Sequence, residues 1–425
     1  MIRFNSTKNY FVPALSAMAL AALASCAHSP PLEPSTPGQA EKEPAAEGQS
    51  VNTQASTKTS DKASDQASSQ ASNNQESNAE ASGVQASGGP AAAPVAREVN
   101  LTADEINSAL KSAYTKYKGL KEGKNADYIP ALAKVNPELF GISLITADGQ
   151  TFDIGDTKQQ FSIQSISKIF TLAEVLKARG AKVVDDKIGV NATGGKFNSI
   201  IAIESNETHR AGNPLVNAGA ITTVSFVPGA TKDQRWQNIM GTMEAFSARK
   251  LTVDPETYRS ETETNTRNKA ISYLLKNYEV LQGNPEEVLD LYTKQCSVMV
   301  NSHDLAVMGA TFANGGVNPI SGVQVVTPDV VARTEAVMFT AGLYNTSGEW
   351  AFNVGAPAKS GVGGGIVAVV PGRFAVSAFS PRLDEAGNSV RAQRAIQQIV
   401  AQLGGNLFMA APAAPAKIAG GTAGQ

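Results

Sequence analysis

An abrupt change of composition near residue 100 limits which part of this 425-residue chain can fold. From about Ala27 to Glu98 the chain consists mainly of Ser, Ala, Gln, Pro, Gly, Asn and Thr, and large apolar side chains almost vanish. Such a stretch cannot bury enough apolar surface to offset its conformational entropy. We therefore predict a disordered tether over 26–100, a disordered Ala/Pro/Gly-rich tail over 411–425, and one folded unit over 101–410.

Residues 1–25 resemble a bacterial lipoprotein signal peptide. Arg3 and Lys8 precede an apolar stretch that is too short to cross a membrane comfortably, and a Leu-Ala-Ser-Cys run resembling the lipobox ends at Cys26. The resemblance implies cleavage before Cys26 and lipidation of its thiol, and Ala27 in the next position favours transfer to the outer membrane. We expect a lipid-anchored protein of the cell envelope, on the periplasmic side of that membrane.

This N-terminal segment has two alternative interpretations. One is an ordinary signal peptide whose cysteine is incidental. The other is a cytoplasmic enzyme whose true start lies near the folded unit. The chain has no methionine between Met18 and Met240, which favours the exported interpretation.

Charge and residue counts argue against nucleic-acid and metal sites. The formal net charge is −2, whereas nucleic-acid binding usually needs a cationic face. The three histidines are His28, His209 and His303, and none has metal-ligand spacing. If Cys26 is lipidated, Cys296 has no disulfide partner, so we predict a buried structural thiol. We expect neither a metal nor a cofactor.

Apolar periodicity predicts an α+β fold for the folded unit. The capping-box pair Thr102 and Glu105 begins an amphipathic helix, alternating residues predict β-hairpins over 140–154 and 366–379, and 390–403 form a last helix. Helical patterns dominate the chain between the hairpins. This order predicts an antiparallel sheet flanked by both terminal helices, with a helical lobe inserted and an active site in the cleft between sheet and lobe.

Ser165 and Lys168 form an S-x-x-K motif where a helix is expected to begin. The i, i+3 spacing places both side chains on one face of that helix. A serine hydroxyl needs an adjacent base to become a nucleophile, and burial can lower the pKa of a lysine enough to make it that base. Alone the motif is weak, because a capping serine and a surface lysine give the same pattern.

A second motif, Lys359-Ser360-Gly361, precedes a glycine run and the last hairpin. It resembles the K-[ST]-G element of serine β-lactamases and penicillin-binding proteins, which lies on a strand at the edge of the active site. A backbone N–H from that strand and the N–H of Ser165 are suited to hold an oxyanion. The two motifs together are far more specific than either alone.

Further segments occur in the order of a known family. They are 128–133, 155–157, 164–168, 213–220, 260–261, 267–268, 289–292, 295–297, 313–319, 342–344, 347–348 and 355–361. Through them the chain from about Tyr128 to Phe408 resembles the bacterial and mitochondrial glutaminases. The resemblance implies a serine β-lactamase-like, transpeptidase-like fold, and a homodimer or homotetramer that hydrolyses L-glutamine to L-glutamate and ammonia through a serine acyl-enzyme.

The same resemblance implies the roles of individual residues. Ser165 matches the nucleophile and Lys168 its activating partner. The matching substrate-binding positions are Tyr128, Ser165, Asn217, Glu261, Asn268, Tyr292, Tyr344 and Val362. Glu261 is suited to pair with the substrate ammonium, while two amides and a phenol are neutral donors for its carboxylate. Tyr344 is the expected proton relay to ammonia or from water, and the choice of lysine or tyrosine as general base stays open.

Two other functions fit parts of the sequence. A β-lactamase or D,D-peptidase would suit an exported protein, but the chain has no Ser-Asp-Asn tripeptide, the usual second motif of those enzymes. A lipoprotein could instead bind amino acids or peptidoglycan on an inactive hydrolase fold. The presence of Ser165, Lys168 and Lys359 argues against an inactive site.

Overall fold

The computed structural model of the protein describes residues 101–409. The predicted signal peptide, Cys26, the predicted tether and the predicted tail lie outside the described residues. The helices are α1 (Ala103–Tyr117), α2 (Pro130–Ala133), α3 (Ser167–Arg179), α4 (Ala181–Lys187), α5 (Ile201–Glu204), α6 (Asn217–Ser225), α7 (Lys232–Ser247), α8 (Pro255–Thr264), α9 (Thr266–Asn277), α10 (Pro285–Cys296), α11 (Ser302–Ala313), α12 (Pro328–Ala341), α13 (Ser347–Asn353) and α14 (Val390–Gln402). The strands are β1 (Gly141–Thr146), β2 (Thr151–Gly155), β3 (Phe161–Ser162), β4 (Thr252–Val253), β5 (Val298–Val300), β6 (Ala358–Ser360), β7 (Gly365–Val370) and β8 (Phe374–Phe379).

The main sheet has five antiparallel strands in the order β2-β1-β8-β7-β6. Both predicted hairpins are present, and Ile142 of the first lies opposite Ala378 of the second. The two ends of the folded unit therefore meet at the centre of one sheet. Thr102 caps α1 through the predicted capping box with Glu105.

Successive side chains of each strand point to opposite faces of the sheet, and each face contributes to a separate hydrophobic core. One face of the sheet packs against α1 and α14, through residues such as Ile142 and Ile366. The other face packs against α11 and the helical lobe, through residues such as Val367 and Phe379. These contacts confirm the predicted sheet flanked by both terminal helices, with helices α3 to α10 forming most of the inserted lobe.

A second sheet of three very short strands, in the order β3-β5-β4, was not predicted from the sequence. In it, Phe161 pairs with Val300, and the backbone N–H of Ile163 donates to the carbonyl of Val298 at 2.8 Å. This pairing fixes the chain immediately before Ser165. No helix within residues 101–409 is long and apolar enough to cross a membrane.

Candidate active site

One cavity of about 180 Å³ brings together most of the site residues predicted from the sequence. Those in its wall are Tyr128, Ser165, Asn217, Glu261, Asn268, Tyr292 and Val362. Helices α6, α8, α9 and α10 of the lobe contribute four of them, and Val362 follows β6 at the edge of the main sheet. Tyr128 is about half exposed, with 54% of its surface accessible. The cleft between sheet and lobe is therefore where the predicted residues meet.

Ser165 and Tyr344 each lie in a single turn of 3₁₀-helix. Ser165 is buried in the turn Gln164–Ile166, which leads directly into α3. Gln164 has φ 52° and Tyr344 has φ 58°, a left-handed conformation that costs a non-glycine residue roughly 1–2 kcal/mol. Strain of this kind is held in place by surrounding structure and is common at functional sites. The constrained backbone of each turn thus limits the positions open to its functional side chain, Ser165 in one and Tyr344 in the other.

The phenol of Tyr344 donates to the backbone carbonyl of Ser360 at 3.3 Å and lies close to Ser165. Burial raises the pKa of Tyr344 to about 12, although its neighbours Ser165 and Ser360 oppose the shift. The tyrosine is consequently protonated near neutral pH. It can give a proton to a leaving group beside Ser165.

Lys168 is almost fully buried behind the cavity wall. Its ammonium donates to Asn217 Oδ1 at 2.7 Å and to the carbonyl of Leu215 at 3.3 Å. Burial lowers the pKa of Lys168 to about 8, against the opposing electrostatic effects of Cys296 and Glu261. An amine with such a pKa is partly neutral near pH 7 and can accept a proton.

Asn217 is the hub of the polar cluster on the lobe side. Its Oδ1 also accepts from the Tyr292 phenol at 3.1 Å, and its Nδ2 donates to Asn268 Oδ1 at 3.0 Å. Its backbone N–H donates to the carbonyl of Phe197 at 2.8 Å. The predicted neutral donors are therefore connected to Lys168 through a single amide.

Glu261 accepts a hydrogen bond of 2.7 Å from Gln164 Nε2, which also donates to Ser162 Oγ at 3.1 Å. Burial raises the pKa of Glu261 to about 7, and the bond from Gln164 and the charge of Lys168 oppose that shift. A carboxylate held in such a site gains most from a cation that enters the cavity. Glu261 is thus suited to pair with an ammonium group.

Lys359 lies on β6, fully buried and outside the cavity wall. It donates to the carbonyls of Gly342 at 2.9 Å and Ser360 at 2.7 Å, and its ammonium lies 4.2 Å from the centre of the Tyr344 ring. Burial lowers its pKa well below the usual lysine value. These contacts make Lys359 a support for Tyr344.

Cys296 is a buried free thiol, as predicted. Burial raises its pKa to about 12, so it is not a thiolate nucleophile at neutral pH. Within residues 101–409 no group of three or more histidine, cysteine, aspartate or glutamate side chains could hold a metal ion. His209 stacks on Tyr278, and His303 lies beside Asp153.

The family model for glutaminases matches residues 123–408. The chain is 52% identical over 303 residues to a glutaminase of Colwellia psychrerythraea, covering 71% of this chain and 97% of that one. A glutaminase of Mycobacterium ulcerans is 48% identical over 303 residues, with 71% and 94% covered. The chain belongs to the glutaminase family.

Solved structures agree with this assignment. The probable glutaminase ybaS superposes with a TM-score of 0.72 at 44% identity, covering 73% of this chain and all of that one. A probable glutaminase of Bacillus subtilis gives 0.66 at 32% identity, with 72% and 97% covered. Mglu in its glutamate form gives 0.69 at 38% identity, with 72% and 71% covered. This glutaminase therefore has the β-lactamase-like fold predicted for it.

Sequence reasoning gave no role to several residues that line the cavity of this glutaminase. They are Ile129, Gln164, Phe197, Asn198, Thr264, Asn265 and Arg267. Gln164 and Arg267 each adjoin a motif residue, and that adjacency is the signal that could have found them. Phe197 and Asn198 follow the pair Gly194-Gly195 in a loop without apolar periodicity, so no pattern pointed to them.

Proposed function

We propose that the chain hydrolyses L-glutamine to L-glutamate and ammonia through an acyl-enzyme on Ser165. The observation that carries the proposal is a single cavity whose wall contains both Ser165, close to the protonated Tyr344, and the carboxyl group of Glu261. A nucleophile with a proton donor at one end, and a cation-binding group at the other, suits an amide that carries a distant ammonium.

In the first step Ser165 Oγ attacks the side-chain carbonyl carbon, and its proton passes to a base. The candidate bases are Lys168, with its lowered pKa, and Tyr344, which can take the Ser165 proton while it passes its own proton to the amide nitrogen. The C–N bond breaks as Tyr344 protonates that nitrogen, which departs as ammonia, and if Lys168 is the base its proton returns to Tyr344. Water then attacks the γ-glutamyl ester, and one of its protons passes through the same base to Ser165 Oγ, which leaves as the free hydroxyl while glutamate is released.

Two backbone N–H groups, those of Ser165 and Val362, are the proposed oxyanion hole. Donors aimed at the developing negative charge are usually the largest single contribution to such reactions. Gly361 and Gly363 flank Val362, and a Cβ added at either would lie 2.8 Å or less from a backbone oxygen of the Ile163 or Ser162 segment. The absence of side chains there allows the β6 end and the Ser165 turn to approach closely.

The test is ammonia release from L-glutamine by the purified chain, compared with Ser165→Ala. Ser165→Ala should lose several orders of magnitude in kcat, because nucleophile and base act as a unit. The control is Ser205→Ala, which removes an exposed hydroxyl elsewhere in the lobe. Ammonia release by Ser165→Ala at near the wild-type rate would refute the mechanism, and nitrocefin hydrolysis without glutamine hydrolysis would favour the β-lactamase alternative.

We also propose that lipidated Cys26 anchors the enzyme at the cell envelope, on the basis of the lipobox-like run that ends there. Two or more buried acyl chains hold a protein on a bilayer where one would not. Radiolabelled palmitate should enter the wild-type chain and not Cys26→Ser. Label that persists in Cys26→Ser, or wild-type protein found wholly in the cytosol, would refute the anchor.

A homodimer or homotetramer is proposed from membership of the family. Apolar side chains that stay exposed on the isolated chain, such as Phe352 with 87% of its surface accessible, are compatible with such an assembly. Light scattering at micromolar concentration should give two or four times the chain mass. A strict monomer would contradict the proposal.

A further inference from the structure

The cavity wall contains one carboxyl side chain and one guanidinium side chain. Glu261 is one, and Arg267, in the first turn of α9, is the other. The substrate proposed above also has two opposite charges, an ammonium and a carboxylate. Glu261 accounts for the ammonium, which leaves the question of what balances the carboxylate.

The neutral donors of the lobe are largely committed to one another. The Tyr292 phenol donates to Asn217 Oδ1, and Asn217 Nδ2 already gives one hydrogen to Asn268 Oδ1. Lys168 is buried behind the wall, where its ammonium donates to Asn217 and Leu215. These groups can still offer an amide N–H, but they bring no positive charge to the cavity itself.

Arg267 supplies that charge next to Asn268. Its Nε donates to the carbonyl of Asn198 at 2.7 Å, the only hydrogen bond of its guanidinium within residues 101–409, and no carboxylate in that range pairs with it. A guanidinium has five donors in a fixed planar fork that matches a carboxylate. One donor therefore holds the side chain in the cavity wall while others stay available to a ligand.

The position of Arg267 at the start of its helix also favours the binding of an anion. Helix α9 is 12 residues long, begins after Asn265, has no side-chain cap on its first N–H groups and has no acidic residue in its first turn. Asn265, Arg267 and Asn268 all line the cavity. A helix N-terminus carries partial positive charge and unpaired N–H groups, which favour an anion.

We propose that Arg267 is a specificity-determining residue that pairs with the α-carboxylate of the substrate, opposite Glu261. The proposal rests on the glutaminase function proposed above. It assigns the two ends of the amino acid to two charges: the ammonium to Glu261 and the carboxylate to Arg267, with Asn268 as a neutral neighbour. An amide that lacks the carboxylate would then gain nothing from Arg267.

The experiment compares L-glutamine with 4-aminobutyramide, which keeps the ammonium and the amide and lacks the carboxylate. Arg267→Gln should lower kcat/KM for L-glutamine about tenfold or more, as expected for a lost hydrogen bond to a charged group. For 4-aminobutyramide, kcat/KM should differ less than about twofold between Arg267→Gln and the wild type, because this substrate has no carboxylate with which Arg267 could pair. If turnover of 4-aminobutyramide is slow, its inhibition constant against L-glutamine gives the same comparison.

Two control variants separate charge recognition from a purely structural role of the Asn198 contact. Arg267→Lys keeps the charge and loses the guanidinium fork, so it should recover part of the activity on L-glutamine. Arg259→Gln removes an exposed arginine of α8 outside the cavity and should leave both substrates unaffected.

A third readout is ionic strength. Raising the salt concentration should lower kcat/KM for L-glutamine more in the wild type than in Arg267→Gln, because screening weakens the exposed charge pair. If Arg267→Gln lowered kcat/KM equally for L-glutamine and 4-aminobutyramide, the proposal would be overturned, since Arg267 would then act only through its contact with Asn198. Wild-type protein that does not hydrolyse L-glutamine at all would instead refute the proposed function, so the two failures are distinguishable.

Discussion

Gln164 Nε2 donates to Glu261 Oε1 at 2.7 Å, and Gln164 is the residue that immediately precedes Ser165. The group proposed to bind the substrate ammonium is therefore tied by one side chain to the turn that holds the nucleophile. Because Gln164 is itself in a left-handed conformation, with φ 52°, that turn depends on contacts such as this one. Substrate binding and the position of Ser165 are thus coupled.

We first predict that Glu261 discriminates substrates by their ammonium group. Glu261→Gln should lower kcat/KM for L-glutamine by about 100-fold, the upper range for a hydrogen bond to a charged group. The amide 4-carbamoylbutanoate, which lacks the ammonium, should be a poor substrate for the wild type and should lose nothing further in the variant. Glu263→Gln, an exposed carboxylate of the same helix, is the matched control.

Substrates of altered shape test the same pocket in the wild type. N-acetyl-L-glutamine should be very poor, because it leaves the partly buried Glu261 carboxylate without its cation. L-asparagine should also be poor, since its amide lies one methylene short of Ser165 and small misplacements cost much in rate. Similar rates on all three amides would contradict this arrangement.

The pH dependence of kcat/KM should rise from acid to alkaline pH in two steps. Glu261, with its pKa raised to about 7, must be ionised to bind the ammonium. Lys168, with its pKa lowered to about 8, must be neutral if it accepts the Ser165 proton. Initial rates at low L-glutamine concentration between pH 5 and 10 would measure both limbs. In Glu261→Gln the lower limb should vanish, and its persistence would assign that limb to another group.

Glu261 should also make the native state less stable as the pH rises. Its folded pKa, about 7, exceeds the ordinary glutamate pKa of 4.5, so the stabilising contribution is complete below about pH 4.5 and is lost as the pH rises through about 7. Glu261→Gln should therefore raise the Tm at pH 8 by about 1 to 2 °C, the shift expected for about 1 kcal/mol in a domain of this size. The difference should disappear near pH 4.5, and an equal gain at both pH values would refute the explanation.

Much of this fold could be predicted because its sheet and terminal helices have simple periods. The capping box at Thr102 and the two hairpins are local signals, and the structure contains all of them. The small sheet could not be predicted, because strands such as Thr252–Val253 are too short to show alternation. Helix α3, expected to begin at the S-x-x-K motif, is buried at every position from Ser167 to Ala173, including Lys168, and no period in the sequence predicts this.

The active site likewise contains some residues that could be predicted from the sequence and others that could not. Residues that stand in motifs, such as Ser165 and Glu261, could be named from the sequence. Residues that act by supporting a motif residue could not, because their contacts join distant parts of the chain. Asn388 is the clearest case, since it lies 28 residues from Ser360, whose hydroxyl it contacts, and no spacing rule connects them.

Asn388 is fully buried beneath the turn that holds Tyr344. Its Oδ1 accepts from Ser360 Oγ at 2.6 Å, and its Nδ2 donates to Thr346 Oγ1 at 3.0 Å. One amide thus joins the strand β6 to the strained 3₁₀ turn that begins at Tyr344. We expect Asn388 to be a positioning residue for the Tyr344 phenol, which lies close to Ser165.

Our last prediction is that Asn388 acts only through Tyr344. Asn388→Ala should lower kcat about tenfold or more while KM changes less than twofold, because a proton donor displaced by a fraction of an ångström loses rate without losing substrate contacts. In a Tyr344→Phe background the same substitution should have almost no further effect, since its effect depends on the phenol. Thermal unfolding of each variant at pH 7 would show whether the fold is kept. Full additivity of the two substitutions in kcat would show that Asn388 serves general stability, because a residue that positions Tyr344 has nothing left to position once the hydroxyl is gone.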